Sequence, residues 1–364
     1  MRTMLSLIIL FSAAFLRAES VRCLGDGPKP LQAIAMPSED AEFLSHSNCL
    51  REFVLWETGN MLAYRNCWSQ LITHPLQTQK KPTIISETAF SPMSGVIESS
   101  ESLLAGGLYT SDAWIWSKKD GVTHHLRIPG QAQRLIHLFW KDNFLYSAAY
   151  NVDAEGNKLV SFFQTDASRR HPTVTLIDSM ELGPYIRFAT GHAYPYVYFF
   201  RSFPSGHGVY KLWQLEYDVN THKLTSESWF PDEKLPLPIE SVHRLPSINS
   251  TAIILNDVCR NCNQARVLWV KESSCQYYDL GSSYPVFPQH NVPILARLQP
   301  KGGIDVIHLD TGKSHTFFGK YVLGNLSSSD LKFTSDLKTL YVGLNFSGIS
   351  EKYVMKQNVP KFWE

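Results

Sequence analysis

The chain has 364 residues, 44% of them hydrophobic and 12% aromatic, with a formal net charge of +1. That balance, and the absence of any basic run longer than Lys80-Lys81 or Arg169-Arg170, argues against a nucleic-acid groove or a polybasic membrane surface. The apolar content is ample for a large core.

The first element is an export signal. Arg2 provides a positive start, and Met4 to Phe15 is an apolar run of about a dozen residues. Small and polar residues follow through Ser20, so cleavage is expected after Ser20 or Ala18. Arg17 interrupts the run well short of the roughly 20 residues that a spanning helix needs. Residues 1–20 therefore read as a signal peptide, and 21–364 as one secreted, extracellular domain with no membrane span. The final Lys361-Phe362-Trp363-Glu364 reads neither as a retention signal nor as a lipid-anchor tail.

Six cysteines follow the signal: Cys23, Cys49 and Cys67 near the start, and Cys259, Cys262 and Cys275 much later. An even number in an exported chain implies disulfides. Each group is odd, so full pairing within one molecule needs a bridge between the groups; otherwise a disulfide-linked dimer is open. Cys259-Arg260-Asn261-Cys262 has redox or zinc spacing. Its flanks, however, are strand-like rather than the helix start that lowers a thiol pKa, and no second close ligand pair is present. A structural disulfide is the expectation. Sequons at Asn249, Asn325 and Asn345 sit in or beside polar loops and mark glycosylation positions for a eukaryotic glycoprotein.

Between these landmarks no long stretch carries helical apolar periodicity. Short segments rich in Val, Ile, Tyr, Phe, Trp and Thr alternate with turn residues. Trp114-Ile115-Trp116 leads through Lys119-Asp120-Gly121 to Thr123–Ile128. Phe144–Tyr150 leads through Glu155-Gly156-Asn157 to Leu159–Gln164. Leu212–Tyr217 leads through Asn220-Thr221-His222 to Leu224. Ile304–Leu309 leads through Asp310-Thr311-Gly312 to Ser314–Phe318. Each reads as a hairpin, with Gly or Asn placed where tight turns demand positive φ.

The hairpins recur with a period of about 40–50 residues. Seven units result, roughly 48–90, 97–130, 133–180, 184–230, 239–282, 289–320 and 327–358. Four strands per unit at that period predict a single all-β propeller of seven blades, six being the alternative. Ring closure by pairing of N- and C-terminal strands is expected, with Leu31–Met36 beside Tyr353-Val354-Met355. The last two units add a resemblance. Leu331 to Val342, with Asp336 and Lys338 around the turn and Leu340-Tyr341-Val342 after it, is similar to the YVTN and TolB-like propeller repeat F-S-P-D-G-K-x-L-Y-V. Ser335 stands for its Pro and Leu337 for its Gly. Gly302 to Lys313 resembles the companion hairpin V-x-V-I-D-x-x-T-G-K. The resemblance implies architecture only, since such folds carry both enzymes and binders.

Catalytic signatures are absent from the reading. Ser205-Gly206-His207-Gly208 lacks the first Gly of a nucleophile elbow. His124, His125, His207 and His315 form no ligand pair. No cofactor is expected, though Asn151, Asp153 and Glu155 alternate before Gly156 like a calcium loop. The aromatic segment Tyr194–Trp213 reads mainly as packing. Arg201, Phe203 and His207 within it are the candidate partner-binding residues. The reading is a secreted propeller that binds a protein or glycan through a loop face. An extracellular hydrolase or lyase with a carboxylate-lined axial pocket is the alternative, and a disulfide-linked matrix component the third.

Overall fold

The computed structural model describes residues 27–36, 42–47, 50–56, 61–66, 70–75, 83–86, 93–98, 103–108, 112–117, 121–127, 134–205, 209–229, 235, 237–257, 264–271, 274–281, 285–287, 292–299, 302–319, 331–334, 336–345 and 352–364. The expected signal segment 1–20 lies outside them.

Strands β1 (Gln32–Ala33) and β2 (Glu42–Ser47) come first. Four strands then make the first sheet: β3 (Leu50–Trp56), β4 (Met61–Asn66), β5 (Leu71–Pro75) and β6 (Thr83–Ser86). The second sheet holds β7 (Met93–Glu98), β8 (Leu103–Leu108), β9 (Asp112–Ser117) and β10 (Thr123–Arg127). The third holds β11 (Arg134–Lys141), β12 (Phe144–Val152), β13 (Lys158–Asp166) and β14 (Val174–Leu182). The fourth holds β15 (Ile186–Phe188), β16 (Tyr196–Ser205), β17 (Val209–Asp218) and β18 (Lys223–Trp229). The fifth holds β19 (Ile239–Leu245), β20 (Ser250–Asp257), β21 (Gln264–Lys271) and β22 (Ser274–Gly281). The sixth holds β23 (Pro285–Val286), β24 (Ile294–Leu298), β25 (Ile304–His308) and β26 (Lys313–Phe317), with β1 added at its edge. The seventh orders β2 beside β29 (Lys352–Asn358), then β28 (Thr339–Asn345) and β27 (Leu331–Phe333). These sheets fall within a few residues of the units read from the hairpin spacing.

The turns follow the local chemistry. Gly121, Gly156 and Gly312 take φ of +66°, +86° and +69° in three of the hairpins named above. In the fourth the left-handed residue is His222 rather than Asn220; Asn220 instead donates its backbone N–H to the Asp218 carboxylate at 2.8 Å. Leu337, at the place of the repeat's glycine, adopts φ +58°. Its side chain packs against the sixth–seventh core, which offsets the roughly 1–2 kcal/mol that a left-handed residue costs.

The core lies between sheets. Phe162 and Val160 of the third sheet meet Phe199, Val197 and Tyr217 of the fourth, with Phe162 stacked on Tyr217 at 4.3 Å between ring centres. Tyr198 and Phe200, on the other face of β16, join Val242, Ile253 and Leu268 of the fifth. Trp269 and Val267 pack with Leu295 and Ile307 of the sixth. Ile304 and Val306 pack with Leu340 and Met355 of the seventh. Ile115 of the second sheet meets Leu145 and Phe163 of the third. Strand β3 contacts β7 on one side and β28 and β29 on the other. Each sheet thus has a neighbour on both faces.

The expected closing strand needs correction. Leu31–Met36 does not pair with β29; that place is taken by β2, antiparallel, with His46 opposite Tyr353. The segment instead runs along the outer edges of the fifth and sixth sheets. Lys29 donates to Tyr277 O, and Gln32 and Ile34 donate to Gly312 O and Ser314 O, making β1 a parallel fifth strand on β26. Its apolar residues cover seams: Leu31 packs on the fifth–sixth core, and Ile34 and Met36 on the sixth–seventh. That use explains why it looks like a strand while the closing strand, Glu-Phe-Leu-Ser-His-Ser, does not.

Polar ties cross the seams. Tyr217 Oη donates to Asp178 Oδ2 at 2.6 Å, and His222 Nδ1 lies 3.3 Å from the same oxygen. Trp269 Nε1 donates to Asp310 Oδ1 at 2.8 Å, and Lys271 Nζ meets Oδ2 at 3.1 Å. Inside the sixth sheet Asp305 is buried but paired: Arg297 donates to Oδ2 at 3.1 Å and Thr316 to Oδ1 at 2.6 Å. A buried charge persists only with such partners.

The Tyr217 hydrogen bond, assisted by the Ser179 N–H and by His222, holds the Asp178 carboxyl below its ordinary value of 3.8. A depressed carboxylate adds stability that is complete above the unfolded value and lost as pH falls through the folded one. Tyr217→Phe is expected to cost about 1.5–3 kcal/mol at neutral pH, the size of a hydrogen bond to a charged group. It should also flatten the acid limb of the stability profile below pH 3.8. Urea unfolding followed across that range checks both.

Candidate functional site

Arg201 lies on β16, directly opposite Ile186 of β15 and Trp213 of β17. Directly paired residues share a face. Alternation places Arg201 and Trp213 on the face that carries Val197, Phe199, Leu215 and Tyr217, which packs on the third sheet. On this face, toward the β16–β17 hairpin, Trp213 is 37% exposed.

The third sheet supplies the opposite wall. Lys158, the first residue of β13, pairs with Leu182 at the end of β14. The connection Gly183-Pro184-Tyr185 then crosses the seam to β15. Lys158 Nζ donates to Pro184 O at 2.9 Å, and Ser202 N approaches Tyr185 O at 3.5 Å. Gly183 lies against Arg201: a Cβ there would stand 3.1 Å from Arg201 Nη2. Tyr185 projects at the rim, 49% exposed. Burial first, and the field of Arg187 second, hold the Lys158 ammonium below its usual value. Lys158 and Arg201 therefore flank this aromatic rim, while Arg187, opposite Phe200, shares the sheet face turned toward the fifth sheet.

The calcium-like residues arrive at the same end. Gly156 of their hairpin lies against Pro184, where an added Cβ would be 3.5 Å from the proline Cβ. Asp153 is committed to its own turn: Asn157 N donates to Oδ1 at 2.7 Å and Asn157 Nδ2 to Oδ2 at 3.0 Å. Among the described residues no group of three His, Cys, Asp or Glu is placed to hold a metal ion. Of Asn151, Asp153 and Glu155, Asp153 caps its own hairpin.

Other residues singled out from sequence lie elsewhere. Asn249 is exposed in a left-handed cap after the 3-10 turn Pro246–Ile248, with Arg244 Nη2 donating to its Oδ1. That turn joins β19 to β20, at the end of the ring opposite the Arg201 hairpin. Cys275 on β22 is disulfide-bonded. Asn345 ends β28 and Phe203 pairs with Lys211, as backbone. Cys23, Cys49, Cys67, Cys259, Cys262, His207 and Asn325 lie outside the described residues, as do the side chains of Phe203 and Asn345. His315 is buried at the strap, its Nδ1 2.9 Å from Ile34 O.

Sequence reading named Arg201 but missed Lys158 and Tyr185. The available signal was Gly183-Pro184-Tyr185 at a unit boundary, an aromatic in a connection. No helix among the described residues is long and apolar enough to cross a membrane.

No family model matches the sequence, and no curated protein matches it. Solved structures do. The β-propeller domain of Cps50 (Swd1) from Myceliophteria thermophila superposes with a TM-score of 0.54 at 10% identity, over 87% of this chain and 98% of that one. The fold is a β-propeller. The WD40 domain of SCAP from fission yeast is a more distant likeness, with a TM-score of 0.47 at 10% identity over 87% of this chain and 97% of that one. At this identity the likeness concerns the fold alone.

The hairpin cap gives a direct test. Asp153→Ala removes the acceptor of two bonds at an exposed turn and is expected to cost about 1 kcal/mol. Asn157→Ala should cost less, because its backbone donor to Asp153 survives. Thermal unfolding of the two variants checks the order.

Proposed function

We propose that the chain is a secreted propeller that binds a protein or glycan partner at the open end of the seam between the third and fourth sheets. The observation that carries this is the pairing of exposed aromatics, Tyr185 and Trp213, with Arg201 at one rim. Aromatic residues and arginine contribute most where surfaces associate. Their setting is rigid, because the rim stands on the packed Phe162–Phe199–Tyr217 core.

The remaining features fit an exported binder. Residues 1–20 have the form of a removable signal, and the six cysteines suit an oxidising compartment. A glycan on Asn249 would stand at the far end of the ring and leave the rim clear. Thr251, the sequon hydroxyl, is buried and accepts from Arg244 Nη1 at 3.2 Å, so attachment would precede folding.

Tyr196 provides an internal control. It is 37% exposed, like Trp213, but sits at the opposite end of the fourth sheet beside Asp218. With full-length protein carrying a photo-crosslinker at Pro184, exposed next to Tyr185, a discrete adduct from the native extracellular fluid is expected. Tyr185→Ala with Trp213→Ala should abolish it, and Tyr196→Ala should not. An adduct lost equally in the Tyr196 variant, or retained in the double variant, would move the site elsewhere.

A further inference from the structure

We infer that the disulfide of Cys275 runs to Cys23, stapling the chain just ahead of the strap (residues 27–36) to the outer strand of the fifth sheet, while Cys49 bonds to Cys67 and Cys259 to Cys262. Cys275 is disulfide-bonded and half-buried on β22, against the fourth–fifth core. The other five cysteines lie outside the described residues, and the reach of each is bounded by the described residue beside it in sequence.

Register excludes the cysteines nearest in sequence. Cys275 pairs with Val270, and Val270 with Thr251. The C-x-x-C belongs to the other end of the same strands, past the pair Asp257 and Gln264. From Val270 to Gln264 the strand rise covers about 20 Å. Cys259 and Cys262 each stand two residues beyond that pair, a reach of about 7 Å at most. About 13 Å is left, and a disulfide spans no more than about 7 Å between Cα atoms. The two are matched to each other instead, at equal steps past one antiparallel pair. Cys49 and Cys67 likewise flank the pair Leu50 and Asn66, one residue each, where facing Cα atoms are about 5 Å apart. Their sheet is separated from the fifth by the sixth and seventh.

Cys23 is left, and the strap aims it at Cys275. Lys29 forms a parallel bridge with Tyr278 and donates its N–H to Tyr277 O at 2.7 Å. In a parallel pair the chains ahead of both residues lead the same way. Cys275 lies three residues before Tyr278, about 10 Å. Cys23 lies six before Lys29, a reach of about 20 Å. The spare length includes Gly25-Asp26-Gly27-Pro28, with Gly27 at φ +71°. Closing the bridge joins two thiol sulfurs; two protons and two electrons pass to a protein disulfide of the oxidising compartment, which leaves as a dithiol. With β2 paired to β29 beyond the strap, the bridge fixes the segment at both ends and leaves no thiol for a disulfide-linked dimer.

The test uses full-length protein from a secreting eukaryotic host, alkylated at acid pH without reduction. Digestion with trypsin and Glu-C places the six cysteines on separate peptides. Mass spectrometry is expected to find the Cys23 peptide linked to the Cys275 peptide, in protein that runs as a monomer without reductant. Cys23→Ser should expose one alkylatable thiol, at Cys275, and lower the melting temperature by about 5 °C, because a very long loop is opened. An alkylated Cys275 in the unsubstituted protein, any other link among the six, or a Cys23–Cys275 link found only in a covalent dimer would overturn the inference.

Discussion

Everything here depends on burial between facing sheets. A four-stranded sheet has two faces and no means of covering either by itself. In this chain both faces of the strands are apolar: β16 sends Val197 and Phe199 to the third sheet and Tyr198 and Phe200 to the fifth. Each sheet is therefore stable only as a middle layer, which favours a ring. The hydrogen bonds across the seams, Tyr217 to Asp178 and Trp269 to Asp310, set how neighbours align rather than supplying the main driving force.

The candidate site is a consequence of that arrangement. Sheets packed face to face diverge at their ends, and side chains there face a neighbour without being covered by it. Arg201 and Trp213 continue the same row pattern that buries Phe199 and Leu215 deeper in the seam. The connection from one sheet to the next must pass this opening, so Pro184 and Tyr185 are delivered to it by topology. Rigidity below and access above are what a recognition surface needs.

What the sequence disclosed and what it withheld divide along range. Hairpins were legible because their information is local: alternation on each strand and Gly121, Gly156 or Gly312 at the turn. Their repetition gave the units and the architecture. The closing strand was not legible. Leu31–Met36 is apolar because it caps two seams from outside, and β2 is polar in four of its six residues, so a preference for apolar strands selected the wrong segment. The site was half legible: Arg201 stood out among aromatics, but Lys158 reaches the same seam only through the pairing of β13 with β14 and its bond to Pro184 O. The bonds from Asn157 to Asp153 are likewise visible only in the fold.

One segment, residues 27–47, serves both the sixth sheet as β1 and the seventh as β2. Hydrogen exchange of the full chain against a chain lacking those residues tests the ring most directly. If the sheets are mutually dependent, removal should deprotect β26 and β29 and also lower protection in β13 and β16, whose sheets the deleted segment does not join. Protection lost only in β26 and β29, with β13 and β16 unchanged, would contradict a structure in which every sheet relies on a closed ring of neighbours.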